Sequence, residues 1–208
     1  MSRRLIDPKA IDARAIREAA DILRRGGVVA YPTDTQYGLA VDPRSDGAVE
    51  ALFSIKGRDS SAAMPLVAAD RNQAREAGVF GPPEERLAAA FWPGPLTIVV
   101  QPAAGVSPLV RGAFGTVGVR VPAHAVARAL AAAFGWCITA TSANRSGHPA
   151  ATTADEVAAA LGDRVDLLLD AGPAPGGPPS TVVQIVDGRA TLHRPGAVAW
   201  DRVLESLE

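Results

Sequence analysis

Short β-branched runs alternate with amphipathic helical patterns along the whole chain, and this alternation constrains the fold more than any other feature. Ala15, Ile16, Ala19, Ile22 and Leu23 share one face of a helix predicted over residues 12–25, which Gly26-Gly27 stops. Residues 28–31 read as a short buried strand running into a turn at 32–38. Further helices are predicted at 46–55, 83–91 and 123–134, and strands at 65–69, 96–100, 117–121 and 136–140. Asp70 is a candidate N-cap, and Thr153 with Glu156 has the spacing of a capping box. Strands at 165–169 and 181–186 flank a Gly/Pro-rich loop, and Asp187-Gly188 signals a hairpin returning through 190–192. No long polar linker interrupts the pattern. It predicts one α/β domain over residues 1–208, built on an open twisted sheet that the hairpin makes mixed rather than purely parallel.

Composition narrows the class. The 208 residues are 48% hydrophobic, enough to bury a core without disulfides or metal. A formal net charge of −1 argues against a surface that grips nucleic acid throughout, while allowing a local cationic cleft. Cys137 is the one cysteine, which excludes a disulfide framework and a cysteine zinc finger, and an inert buried thiol is its expected state. No run approaches the ~18–20 apolar residues of a membrane span, and the charged start lacks a signal peptide's apolar segment, so a soluble cytoplasmic protein is expected.

Familiar nucleotide motifs are missing: there is neither a P-loop nor a G-x-G-x-x-G after a strand. His124, His148 and His193 lack paired ligand spacing, so no metal ligands are assigned. Four polar segments remain where strands should end, the usual ligand position in open α/β sheets. The first, Pro32-Thr33-Asp34-Thr35-Gln36-Tyr37-Gly38, sets hydroxyls and a carboxylate where they are costly unless bonded, although an Asx or ST turn would satisfy them locally. The second, Lys56-Gly57-Arg58, can aim two cations at one anion or simply end a helix. Lys56 is one of two lysines against nineteen arginines, a hint that a compact ammonium is needed there. The third, residues 141–147, suits an anion or a sugar; Ser142 has no nucleophile-elbow context and reads poorly as a hydrolase nucleophile. The fourth joins Pro179-Ser180-Thr181 with Arg194-Pro195-Gly196. Arg120 belongs beside it, because an arginine inside an apolar strand must leave the core or find an anion.

In this order the segments GGVVAYPTDTQYGL, Lys56-x-Arg58, FWPGPLTIV, VGVRVP, Ser142-x-Asn144, PSTVV and HRPGA closely resemble the YrdC-like family, the threonylcarbamoyl-AMP synthases, in their short single-domain form. The resemblance spans roughly residues 10–200. It implies an open twisted α/β fold around a large cationic cleft. It also implies a nucleotidyltransferase that joins L-threonine, bicarbonate or CO2, and ATP into threonylcarbamoyl-AMP and pyrophosphate. Partner proteins would then carry the threonylcarbamoyl group to tRNA, and direct binding of tRNA or double-stranded RNA is allowed. By resemblance, Lys56 and Arg58 are the catalytic cations on the phosphates. Thr116, Ser142, Asn144 and Arg194 complete the ATP site, while Thr35, Arg120, Ala140 and Ser180 form the threonine site. Mg2+ would arrive with ATP. The sequence departs from the family pattern in a longer loop after Arg58, in Met64 before Pro65, and at Ala69 and Ala150, where polar residues are common. Two rivals are a carbamoyl-transfer module of hydrogenase maturation, which needs zinc-finger-like regions that one cysteine cannot supply, and a non-catalytic RNA-binding assembly factor, which near-neutral charge disfavours.

Overall fold

The computed structural model describes residues 1–57, 63–112 and 114–208. β1 (Ser2–Leu5) leads to α1 (Ala13–Arg24), whose N-cap Asp12 accepts from the Arg14 N–H at 2.8 Å. β2 (Val29–Pro32) and β3 (Tyr37–Ala40) form an antiparallel pair across a four-residue turn. α2 (Asp46–Lys56) begins at the Ser45 cap and ends on Gly57, left-handed at φ 58°. β4 (Leu66–Val67), α3 (Arg71–Ala77), β5 (Gly78–Val79) and α4 (Pro82–Phe91) follow, and the expected Asp70 cap is made to the Gln73 N–H at 2.9 Å. Next come β6 (Leu96–Pro102), β7 (Val117–Arg120), α5 (Ala125–Phe134), β8 (Ile138–Thr139) and β9 (Thr141–Ser142). α6 (Ala154–Leu161) opens on the Thr153/Glu156 capping box. β10 (Leu167–Asp170), the hairpin β11 (Thr181–Val186) and β12 (Arg189–Arg194), and α7 (Trp200–Glu205) complete the described chain. Asp187 and Gly188 both have positive φ, as a two-residue hairpin turn demands.

The mixed α/β class matches the expectation, but the strands are shared between two sheets instead of one. One sheet runs β1-β10-β2-β3-β9; the other runs β12-β11-β6-β7-β4-β8, with β5 on β6. The segment expected as a single strand at 136–140 is where they meet: β8 pairs with β4 in the larger sheet, and two residues later β9 pairs with β3 in the smaller. Alternation in the smaller sheet explains why its strands read as unbroken apolar runs. Val29, Tyr31, Leu167 and Leu169 pack under α1 and α5, whereas Val28, Ala30 and Leu168 pack toward α2 and α6.

β1 escapes a hydrophobicity reading because all four of its residues are exposed; parallel backbone pairing with β10 alone makes it a strand. Arg3 on β1 donates to Asp170 at 2.9 and 2.7 Å. Burial works against ionisation of Asp170. The Gly172 N–H, Arg3 and the Tyr37 hydroxyl outweigh it and hold this carboxyl below its ordinary pKa. A depressed folded pKa contributes stability that is present above the unfolded value, about 3.9, and lost as pH falls through the folded one. Asp170→Asn should therefore unfold at lower urea than the parent protein near neutrality. The gap between their midpoints should close below about pH 4. A gap that stays constant with pH would assign the loss to shape instead of charge.

Candidate active site

Between β2 and β3 the chain turns through Thr33–Gln36. The Thr33 hydroxyl accepts from the N–H groups of Thr35 and Gln36, both at 3.2 Å, and donates to the Gln36 carbonyl at 2.6 Å. The expected local turn is thus made by a hydroxyl. The carboxylate of Asp34 instead pairs with Arg120, at the end of β7. Arg120, the strand-borne arginine, also donates from Nε to the Gly94 carbonyl at 3.0 Å.

α2 delivers Lys56 from the other side. Lys56 is only 4% exposed, and its ammonium donates to the Ser142 carbonyl at 2.6 Å, the Ser142 hydroxyl at 3.3 Å and Asn144 Oδ1 at 2.8 Å. Ser142 Oγ donates to the same Asn144 oxygen at 2.6 Å, and the Asn144 amide donates to the His148 carbonyl. Lys56 thereby fixes the turn after β9 while bringing positive charge to it.

These elements surround a cavity of about 240 Å³, room for about eight waters at liquid density. Its wall takes residues from both sheets, where the chain crosses between β8 and β9. Thr35, Arg120, Ala140, Ser142, Ser180 and Arg194 all line it. Among the described residues the wall holds two guanidiniums and no carboxylate. Arg194 donates from Nη2 to the Ser180 carbonyl at 2.8 Å and hydroxyl at 3.0 Å. Burial, and then the like charge of Arg120, pull the Arg194 guanidinium below its ordinary pKa. Such a wall is prepared for an anion.

The other expected residues lie elsewhere. Asn144 and Lys56 stand behind Ser142, outside the wall. Thr116 is buried and accepts from the Gly112 N–H at 2.8 Å, and Gly112 approaches Ala63, which does line the cavity. Arg58 and most of the loop after it lie outside the described residues. No group of three or more metal-ligating side chains occurs among those described, and no described helix is long and apolar enough to cross a membrane.

The family model Sua5/YciO/YrdC, described as "Telomere recombination", matches residues 21–196. The chain belongs to the Sua5/YciO/YrdC family. It is 38% identical over 193 residues to a threonylcarbamoyl-AMP synthase of Bacillus subtilis, covering 90% of this chain and 55% of that protein. A threonylcarbamoyl-AMP synthase of Chromohalobacter salexigens is 40% identical over 184 residues, covering 88% of this chain and 98% of that protein. The crystal structure of Pyrococcus abyssi Sua5 complexed with L-threonine superposes with a TM-score of 0.93 at 33% identity, covering 99% of this chain and 61% of that one. The chain thus spans little more than half of the Bacillus relative.

Within this Sua5/YciO/YrdC fold, the wall also takes residues from outside the four polar segments, Thr97 and Pro65 among them. Thr97 shares a hydrogen bond with the Ser180 hydroxyl at 2.9 Å, and it is the one polar position in an otherwise apolar strand run at 96–100. Tyr37, part of the first polar segment, begins β3 and lines the wall; its hydroxyl donates to the Gly172 carbonyl at 2.7 Å and burial pushes its pKa up to about 12. Pro65 lines the wall just before β4 and carries no chemical signal.

Proposed function

We propose that this protein condenses L-threonine, bicarbonate and ATP into threonylcarbamoyl-AMP and pyrophosphate, in the cytoplasm, for transfer by partner proteins to tRNA. The observation carrying the proposal is the cavity wall with two guanidiniums and no carboxylate, set beside the lysine-held turn. In this reading bicarbonate takes up a proton and loses water to give CO2, and the threonine amine adds to the CO2 carbon and releases a proton to give a carbamate. A carbamate oxygen attacks the α-phosphorus of ATP, and pyrophosphate leaves with the electrons of the broken P–O bond. Negative charge grows on the phosphates during that displacement, so cations fixed beforehand lower its barrier more than an acid–base pair would. Arg120 would take the threonine carboxylate, with Thr35, Ala140 and Ser180 around it. Lys56, Ser142, Asn144, Thr116 and Arg194 would hold the nucleotide, with Arg58 joining them. Mg2+ would enter as part of the ATP substrate, since phosphate oxygens can supply much of its coordination.

Pyrophosphate release from ATP tests the proposal. It should require L-threonine and bicarbonate together. Release that ignores threonine, or no release at all, overturns it.

A further inference from the structure

Asp34 has a task that its own turn does not explain. Thr33 alone caps the backbone there, so the carboxylate is free for other work. One oxygen, Oδ1, accepts from Nη2 of Arg120; the other, Oδ2, is buried with no hydrogen-bond partner among the described residues. Asp34 is outside the cavity wall, whereas Arg120 forms part of it. A carboxylate whose side chain is only 15% exposed, with one buried oxygen lacking a partner, is retained at a cost, and Arg120 is its one salt-bridge partner among the described residues.

The benefit falls on the guanidinium. Gly94 and Asp34 engage Nε and Nη2 of Arg120, and Nη1 has no partner among the described residues. A planar fork held at two positions can present its remaining N–H groups in a fixed direction. Arg194 shares the cavity and feels the positive charge of Arg120, so a carboxylate beside Arg120 also relieves repulsion between the two.

We infer that Asp34 is a positioning residue: it holds Arg120 with Nη1 turned to the cavity, ready for the carboxylate of an amino-acid substrate. The inference rests on the amino-acid reading of the cavity given above. The test uses the full chain, with L-threonine binding followed by calorimetry and turnover by pyrophosphate release. Asp34→Asn keeps the shape and removes the charge. It should weaken L-threonine binding and raise its KM by roughly tenfold to a hundredfold, leaving the KM for ATP within about twofold. Asp34→Glu, which keeps the charge but displaces it, should fall between the two. In an Arg120→Ala background, Asp34→Asn should cause no further loss of L-threonine affinity, a coupling that a purely structural residue would not show. Parental L-threonine affinity in Asp34→Asn, additive losses in the double variant, or equal rises in both KM values would each overturn the inference. Failure of the parent protein itself to bind L-threonine would overturn the reading of the cavity, and the inference with it.

Discussion

Lys56→Ala is expected to lower kcat/KM for ATP by about a hundredfold, the usual cost of letting a positioned site shift by about 1 Å. The expectation comes from what the ammonium holds. Its described acceptors, the Ser142 carbonyl, the Ser142 hydroxyl and Asn144 Oδ1, all belong to one turn. Truncation would leave the Ser142 carbonyl without its 2.6 Å donor and loosen the turn, so some stability should go as well, about 1–3 kcal/mol. Lys56→Arg should not restore activity. A planar guanidinium cannot meet three acceptors clustered around a compact ammonium, and the site is 4% exposed. Steady-state pyrophosphate release and thermal melting of both variants provide the check. Near-parental turnover in Lys56→Ala would remove Lys56 from the site.

Gly196→Ala is expected to be nearly as damaging, for a steric reason. A Cβ at Gly196 would sit 2.3 Å from the Pro179 carbonyl oxygen, 2.5 Å from the Ser180 carbonyl carbon and 2.5 Å from the Thr181 nitrogen. All three are backbone atoms tied in place. Ala197 N–H donates to the Pro179 carbonyl at 2.9 Å, and Thr181 N–H donates to the Pro95 carbonyl at 3.0 Å. The segment before β11 that carries Ser180 and the one after Arg194 would have to separate. A displacement near 1 Å costs about a hundredfold in a positioned site. The loss should appear in L-threonine binding and in turnover. Gly47→Ala is the matched control: it lies in α2 with nothing within 4 Å of its Cβ, and it should be neutral or stabilising by up to about 1 kcal/mol.

What the sequence discloses follows from how local each signal is. The α1 face, the Asp70 cap, the Thr153/Glu156 box and the Asp187-Gly188 turn are written within a few residues of one another. They appear in the structure nearly where expected. The division into two sheets was not legible, because it depends on β8 and β9 choosing different partners within five residues. β1 was hidden for a related reason, since its membership lies wholly in the backbone of β10. In the site, the cost of burying polar groups marked Arg120 and the Thr33–Gln36 turn, and the scarcity of lysine marked Lys56. Gly196 stands in a candidate segment and Thr97 is the one polar residue of its strand run, but neither mark says what the residue touches. Their roles come from the chain folding back on residues 179–181, a contact known only in three dimensions.

The most direct test of the account follows the atoms. The protein is incubated with ATP, L-threonine and carbon-labelled bicarbonate, and the nucleotide products are resolved by mass. The account predicts an AMP adduct that carries both threonine and the bicarbonate label, formed in step with pyrophosphate. AMP or ADP released without threonine or label in the nucleotide product would contradict it.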